Sequence, residues 1–384
     1  VTSRPRVLFD ATSVPPSQGG VARFIAGLLQ GLHELGEPID VVAKRADIPA
    51  FYAVAPSHTY IVAPGQVSRR PVRLLWEQTG LPALARRRGA QVIHSPHYTF
   101  PVIGTTANVV TVHDATFFSS PEVHSRLKGA FFRTWIRLGS RLATGIVAVS
   151  QATATDLERF VRVPDDGIRV ARLGVDQTIF SPPNATSVAA VRDRLGLGPD
   201  APYLAFLGTL EPRKNVTALL EAHAALVAAD PRTPVLILSG SRGWDESANS
   251  ALDALARQPA ASRSVIEAGY LPLDLLAAFL GGSTVVVYPS LGEGFGLPVL
   301  EAMASGAAVL TTRRLSIPEV GGDAVAYSEP DADSLAVSLG QLIGDDARRR
   351  ELAERAIERS RLFTWRECAR SYLTAWTAAA GTRS

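Results

Sequence analysis

The chain has 384 residues, of which 46% are hydrophobic and 20% charged, and its formal net charge is +3. That length exceeds the ~250 to 300 residues at which a single core stops growing, so about two domains are expected, and the hydrophobic content excludes a disordered chain. So mild a charge, without clustered aromatic stacking motifs, argues against a dedicated nucleic-acid binder.

The polar stretch Val1 to Arg6 leaves no room, ahead of Val7-Leu8-Phe9, for the apolar region of a signal peptide. No run approaches the ~18 apolar residues of a membrane span, and Cys368 is the only cysteine, which suits a reducing compartment. A cytoplasmic protein, soluble or peripheral at the inner face of the membrane, is expected. The first half then alternates short β-branched runs with helical patterns: RVLFD, DVVA, QVIH, VVTVHD and GIVAVS. The basic segment 124–142 carries Arg133, Arg137 and Arg141 four apart, with Phe131, Trp135, Leu138 and Leu142 on other faces. It reads either as a core-packed helix with a solvated basic side or as a helix lying on an anionic membrane. Residues 182–202 are rich in Pro, Gly, Asn and Asp and connect to a second alternating series, YLAFLG, PVLILSG, SVIEAGY, TVVVYPS and AAVLTT, with helical windows at 215–229 and 273–280. Regular alternation implies parallel sheets in an α/β protein. The expected domains are 1–180 and 181–362. The last segment, with Phe363, Trp365, Tyr372 and Trp376 on a helical pattern, is expected to cross back, adding 363–384 to the first domain.

Open α/β sheets hold ligands beyond the carboxyl ends of their strands. After YLAFLG comes Gly208-Thr209-Leu210-Glu211-Pro212-Arg213-Lys214-Asn215, two adjacent cations where a helix opens, suited to a diphosphate. Lysine occurs only at Lys44, Lys128 and Lys214, so a lysine beside a strand end suggests that a compact ammonium is wanted there. After TVVVYPS a glycine loop runs through Glu293, Gly294, Phe295, Gly296 and Leu297 into a helix carrying Glu301. Carboxylates repel phosphate but accept hydrogen bonds from the vicinal diols of sugars and riboses. The apolar neighbours Val299, Leu300 and Ala302 predict that the helix is buried, and a buried carboxylate needs partners. In the first half Gly19-Gly20, after Ser13-Val14-Pro15-Pro16-Ser17-Gln18, can bring backbone amides to an anion. His113 at the end of VVTV can donate a hydrogen bond to a sugar or its phosphate, with Asp114 orienting it or capping the next helix. His94 and His97 end the preceding strand, but no pattern supplies a fourth zinc ligand, so no metal is expected. There is no G-x-G-x-x-G, Walker loop or H-E-x-x-H, and Asp331-x-Asp333 reads as a helix cap.

These residues together resemble the retaining glycosyltransferases of family 4, which have the GT-B architecture of two facing Rossmann-like domains. The likeness rests on Gly-Thr-Leu-Glu-Pro-Arg-Lys-Asn at 208–215, Gly-Tyr-Leu-Pro at 269–272 and the E-x7-E pattern from Glu293 to Glu301, and extends to Gly20 and His113. The resemblance implies that Arg213 and Lys214 hold the diphosphate, Glu293 the donor sugar's hydroxyls and Glu301 the ribose. Backbone contacts would come from Gly294 to Leu297, while Gly240, Tyr270 and Leu271 would lie near the base. Gly20 and His113 would close on the sugar and phosphate. It also implies retention of configuration without a metal, and no cofactor beyond the nucleotide-sugar donor. The phrases VHDATFF, GSRGW and SIPEVGGDA resemble bacterial GDP-mannose-dependent α-mannosyltransferases, which implies GDP-mannose as donor and a glycan or lipid-linked acceptor. UDP or dTDP sugars, a nucleotide-sugar epimerase and a nucleotide-sugar-binding protein without turnover stay open as alternatives.

Overall fold

The computed structural model describes residues 4–14, 19–121, 124–163, 167–257 and 264–382. They form two compact units, 1–174 together with 363–384, and 175–362.

The first unit is built on β1 (Val7–Asp10), β2 (Asp40–Ala43), β3 (Thr59–Val62), β4 (Val92–Ser95), β5 (Ala107–Val112), β6 (Gly145–Ala148) and β7 (Ile168–Val170). The strands lie in the order β3-β2-β1-β4-β5-β6-β7, every neighbour parallel. Helical crossovers cover both faces, which is why the central strands are buried at every position rather than at alternate ones. On one face Leu8, Val42 and Ile93 pack with Leu81 and Ala85 of helix Arg70–Arg88. On the other, Phe9 stacks on His94 at 4.9 Å, and the chain's last helix, Trp365–Gly381, lies alongside. Trp376 Nε1 donates to His94 Nδ1 at 2.8 Å, and Thr111 Oγ1 and Tyr372 OH bond at 3.0 Å. Helix Gly20–Glu34 approaches this last helix so closely that a Cβ on Gly27 would strike the Trp365 ring and one on Gly31 its carbonyl. The segment expected to return to the first domain is thus part of that unit's core. The division falls at 174/175 rather than 180/181. Gly174 lies against the backbone of Thr364 and Trp365, too close for any side chain, which ties it to the first unit, whereas Val175 and Phe180 belong to the second.

The second unit holds β8 (Tyr203–Leu207), β9 (Val235–Ser239), β10 (Val265–Gly269), β11 (Val285–Tyr288), β12 (Val309–Thr312) and β13 (Ala326–Ser328). Their order is β10-β9-β8-β11-β12-β13, again all parallel. Each sheet therefore reverses its strand order once, at β1/β4 and at β8/β11, and such a reversal opens a crevice at the carboxyl ends of the two strands. Asp331 caps helix Ala332–Gly344 by accepting from Ser334 N, as its spacing suggests. Helix Arg126–Leu142 of the first unit packs through Ile136, Trp135 and Leu138. Its basic stripe is only partly solvated: Arg133 donates to Phe117 O at 2.9 Å, and the Arg137 guanidinium lies 5.2 Å from the centre of the Phe118 ring. Among the described residues no helix is long and apolar enough to cross a membrane.

Candidate active site

The β8/β11 crevice gathers most of the predicted residues. After β8 the chain passes Gly208, whose φ of +153° and Gly240's φ of +140° suit glycine. The two strand ends touch there, since a Cβ on Gly240 would collide with the Gly208 carbonyl. The chain then makes a short turn over Pro212–Lys214, and Asn215, in the left-handed region at φ 58°, starts helix Val216–Ala229. After β11 the loop is stitched to this turn: Leu291 N and Ser290 Oγ both reach Arg213 O, at 2.7 and 3.0 Å. Ser316 Oγ donates to Glu293 O at 2.7 Å, fixing the loop from the β12 side. Gly296, at φ +94°, then opens helix Leu297–Ala304 with Pro298 in its first turn.

This stitching brings Arg213, Lys214 and Glu293 together. Glu293 Oε2 accepts from Arg213 Nη1 at 2.5 Å and Oε1 from Lys214 Nζ at 2.6 Å. Arg213 Nε also bonds Glu211 Oε2 at 2.8 Å. Burial would raise the Glu293 pKa, but the guanidinium and ammonium beside it outweigh burial and hold the carboxyl at about 2. Burial, with Arg213 as a like neighbour, pulls Lys214 down to about 8 despite Glu293. The four side chains sum to no net charge, so the crevice presents alternating cations and carboxylates rather than a plain anion trap. Glu301, the fifth residue of helix Leu297–Ala304, is 1% exposed. Phe295 and Leu297 are buried, so that stretch of the loop can offer a ligand chiefly its backbone. At the end of β10, Tyr270 projects into solvent at 66% exposure while Leu271 is buried. Apolar burial thus leaves Leu271 only its main chain for recognition.

In the first unit Gly19 caps helix Gly20–Glu34, and among the described residues a Cβ on either Gly19 or Gly20 would meet nothing within 4 Å. Pro15 to Gln18 lie outside the described residues. His113 differs from expectation. Its Nε2–H is committed to Pro96 O at 2.7 Å, and burial lowers its pKa, so the neutral ring offers Nδ1 as an acceptor instead of a donor. Asp114 does not orient it: its Oδ1 accepts from Thr116 N and Oγ1, starting the short helix Thr116–Ser119. His94 uses both ring nitrogens, accepting from Trp376 at Nδ1 and bonding Thr111 Oγ1 at 3.0 Å through Nε2. It is a core histidine. Sequence reasoning passed over a polar cluster at the β1/β4 crevice: Glu77 accepts from Arg73 at 2.8 Å and Thr99 at 2.7 Å, and burial together with the nearby Asp10 lifts its pKa to about 7. It also passed over Tyr288, Ser290 and Glu211. The available signal for the first two was their place, Tyr288 at the last position of an apolar strand and Ser290 just beyond it.

Two open parallel sheets, each with its own crevice, are the architecture of GT-B enzymes. Residues 187–360 match the profile of the glycosyl transferases group 1, and residues 18–178 that of glycosyltransferase family 4. The chain belongs to these family 4 and group 1 glycosyltransferases and is an enzyme of that class. The O-antigen chain mannosyltransferase B of Escherichia coli is 30% identical over 286 residues, 74% of this chain and 74% of its own length. A D-inositol 3-phosphate glycosyltransferase of Nocardia farcinica is 28% identical over 395 residues, covering 96% of this chain and 79% of its own. Among solved structures, Anabaena HepE in complex with UDP and glucose superposes with a TM-score of 0.73 at 18% identity, over 96% of this chain and 98% of that one. At that identity it speaks for the fold alone.

Proposed function

We propose that this glycosyltransferase moves a mannosyl group from GDP-mannose to a hydroxyl of a glycan or lipid-linked acceptor, with retention of configuration and without a metal. The observation that carries the nucleotide-sugar reading is the alternation of charge in the β8/β11 crevice. A plain phosphate would satisfy Arg213 and Lys214 but leave Glu293 facing an anion. A ligand that carries both a diphosphate and hydroxyls satisfies cations and carboxylates together. Arg213 and Lys214 take the diphosphate in this reading, and Glu293 the hydroxyls of the sugar. Glu301 takes the ribose diol, and the backbone of Gly294 to Leu297 the groups between. Gly240, Tyr270 and Leu271 serve the base. Within the first unit, the amides of Gly19 and Gly20 at the start of helix Gly20–Glu34 can meet an anion, and His113 Nδ1 can accept from a hydroxyl. The two cations stabilise the charge that develops on the leaving diphosphate, the part a divalent ion plays elsewhere.

The mannosyl assignment draws on the likeness to a mannosyltransferase, and a uridine or thymidine donor is the alternative that the experiment below separates from it. The exposed Leu127 and Phe131 of helix Arg126–Leu142, at 85% and 37% exposure, support a peripheral cytoplasmic contact with anionic lipid, which salt-sensitive flotation with anionic liposomes tests. The deciding experiment incubates the protein with GDP-mannose and manno-oligosaccharide or polyprenyl-linked acceptors, in EDTA, and reads the new linkage by NMR. An α-mannosyl product supports the proposal. Inversion, a strict metal requirement, or transfer only from uridine or thymidine donors would each remove the corresponding part. Arg213→Ala is expected to slow transfer by about a hundredfold to a thousandfold, the usual loss on removing one preorganised electrostatic donor.

A further inference from the structure

The carboxylate of Glu293 is held unevenly. Oε2 has one donor, Arg213, whereas Oε1 has three: Lys214 at 2.6 Å, the Ser290 hydroxyl at 2.8 Å and the Tyr288 hydroxyl at 3.0 Å. The two hydroxyls are neutral donors, and they are not equivalent. Ser290 has one proton and competing acceptors, the carbonyls of Arg213 at 3.0 Å and Gly292 at 3.3 Å. Tyr288 has no such choice. Its oxygen accepts from Lys214 Nζ, so its own proton goes to Glu293. Burial raises the phenol well above its ordinary pKa, so it remains a donor. The ring itself cannot wander: it is 1% exposed, stacks with Phe206 at 6.0 Å, and its backbone carbonyl accepts from Thr311 Oγ1 at 2.7 Å.

Arrival of a diphosphate tests this arrangement. Arg213 and Lys214 then divide their charge between phosphate and Glu293, which weakens both ionic holds on the carboxylate. The neutral hydroxyls are not drawn away by an anion in the same manner, and Tyr288 has no alternative acceptor. We infer that Tyr288 is a positioning residue for the donor sugar: its hydroxyl pins Glu293 Oε1, so that Oε2 is the oxygen presented to a sugar hydroxyl. The inference rests on the nucleotide-sugar reading above. Tyr288 and Glu293 take two of the three ammonium N–H groups, Nζ makes no further hydrogen bond among the described residues, and the third N–H is left for a phosphate oxygen.

The plain alternative is that Tyr288 only fills the core and satisfies a buried lysine. Tyr288→Phe separates the two, because it removes the hydroxyl while keeping the ring and its stacking on Phe206. The experiment titrates GDP and GDP-mannose calorimetrically into the full chain and measures turnover of GDP-mannose. The pair becomes UDP and UDP-glucose if the unmodified protein prefers uridine. In Tyr288→Phe, GDP affinity is expected to stay within about threefold, while kcat for the donor falls about tenfold to a hundredfold, the worth of one hydrogen bond to a charged group. The preference for GDP-mannose over GDP falls with it. Ser290→Ala shows a smaller change in the same direction, since its proton is shared. A core-filling role predicts less folded protein but an unchanged preference and kcat per folded molecule. That result, or equal weakening of GDP and GDP-mannose, overturns the inference and leaves the donor reading standing. An unmodified protein that binds none of these nucleotides overturns the donor reading itself and the inference with it.

Discussion

Lys214 shows how little of a site's behaviour is written in one side chain. Its type and place after β8 were legible, because lysine is scarce in this chain and strand ends hold ligands. Its burial, at 6% exposure, and its pKa of about 8 come from neighbours that only the fold supplies. The sign of the pH effect follows directly. In the free protein the ammonium loses its proton as pH rises through about 8; a bound diphosphate, being anionic, raises that pKa again. Nucleotide-sugar binding at pH 8.5 is therefore expected to take up a fraction of a proton, and affinity to fall by up to about tenfold per pH unit above 8. Calorimetry in buffers of different ionisation enthalpy measures the uptake, and a nucleotide sugar is the suitable ligand because its esterified diphosphate holds its charge there. Lys214→Arg should abolish the uptake, since a guanidinium does not deprotonate in this range. Uptake that survives in that variant would place the titrating group elsewhere. Tyr288 was the least legible residue of the site: TVVVYPS reads as one apolar strand, and nothing local says that its tyrosine will meet a lysine 74 residues earlier in the turn after β8, as the adjacency of β8 and β11 makes it do.

Among elements, the strands that escaped the sequence reading share a position. β3, β7 and β13 are edge strands, and an edge of a covered sheet is half exposed, so its residues need not form the apolar run that marks an interior strand. Thr59–Val62 is exposed at both ends and half-buried between them, and Ile168–Val170 and Ala326–Ser328 have no fully buried residue. The interior strands were found because burial on both faces favours apolar runs and admits a polar residue only where it is bonded, as at His94 and Thr111. Helix packing carried a quieter signal in its glycines. Gly27 and Gly31 lie one turn apart on helix Gly20–Glu34 and admit the last helix to near backbone contact. Gly31→Ala is expected to lower stability by about 1 to 3 kcal/mol, because the added methyl meets the Trp365 carbonyl and neither backbone can yield cheaply. Thermal unfolding measures this against Gly65→Ala, where a Cβ meets nothing within 4 Å. Equal stability of the two variants would mean that the helices separate more easily than their packing implies.

For the whole molecule, composition and alternation were enough to read two α/β units, because parallel sheets impose a rhythm that survives without any knowledge of partners. The point of division was less legible: it depends on Gly174 meeting the returning backbone at Trp365, a contact between residues nearly 200 positions apart. The two sheets repeat one plan, a single reversal of strand order, and each reversal carries a polar cluster, Asp10, Arg73 and Glu77 in the first and Arg213, Lys214 and Glu293 in the second. Only the second could be foreseen, since its members sit in two contiguous motifs, whereas Asp10 and Glu77 come from a strand and a helix far apart in the chain. The central claim is that the second crevice is built for a ligand with both charges and hydroxyls. The measurement that tests it most directly is a metal-free calorimetric comparison of inorganic pyrophosphate, GDP and GDP-mannose, repeated on Glu301→Ala. The account predicts that GDP-mannose binds at least about a hundredfold more tightly than pyrophosphate, the combined effect of two or more hydrogen bonds to carboxylates, and that Glu301→Ala weakens GDP but not pyrophosphate. Pyrophosphate binding as tightly as GDP-mannose, or an unaltered GDP affinity in Glu301→Ala, would contradict it.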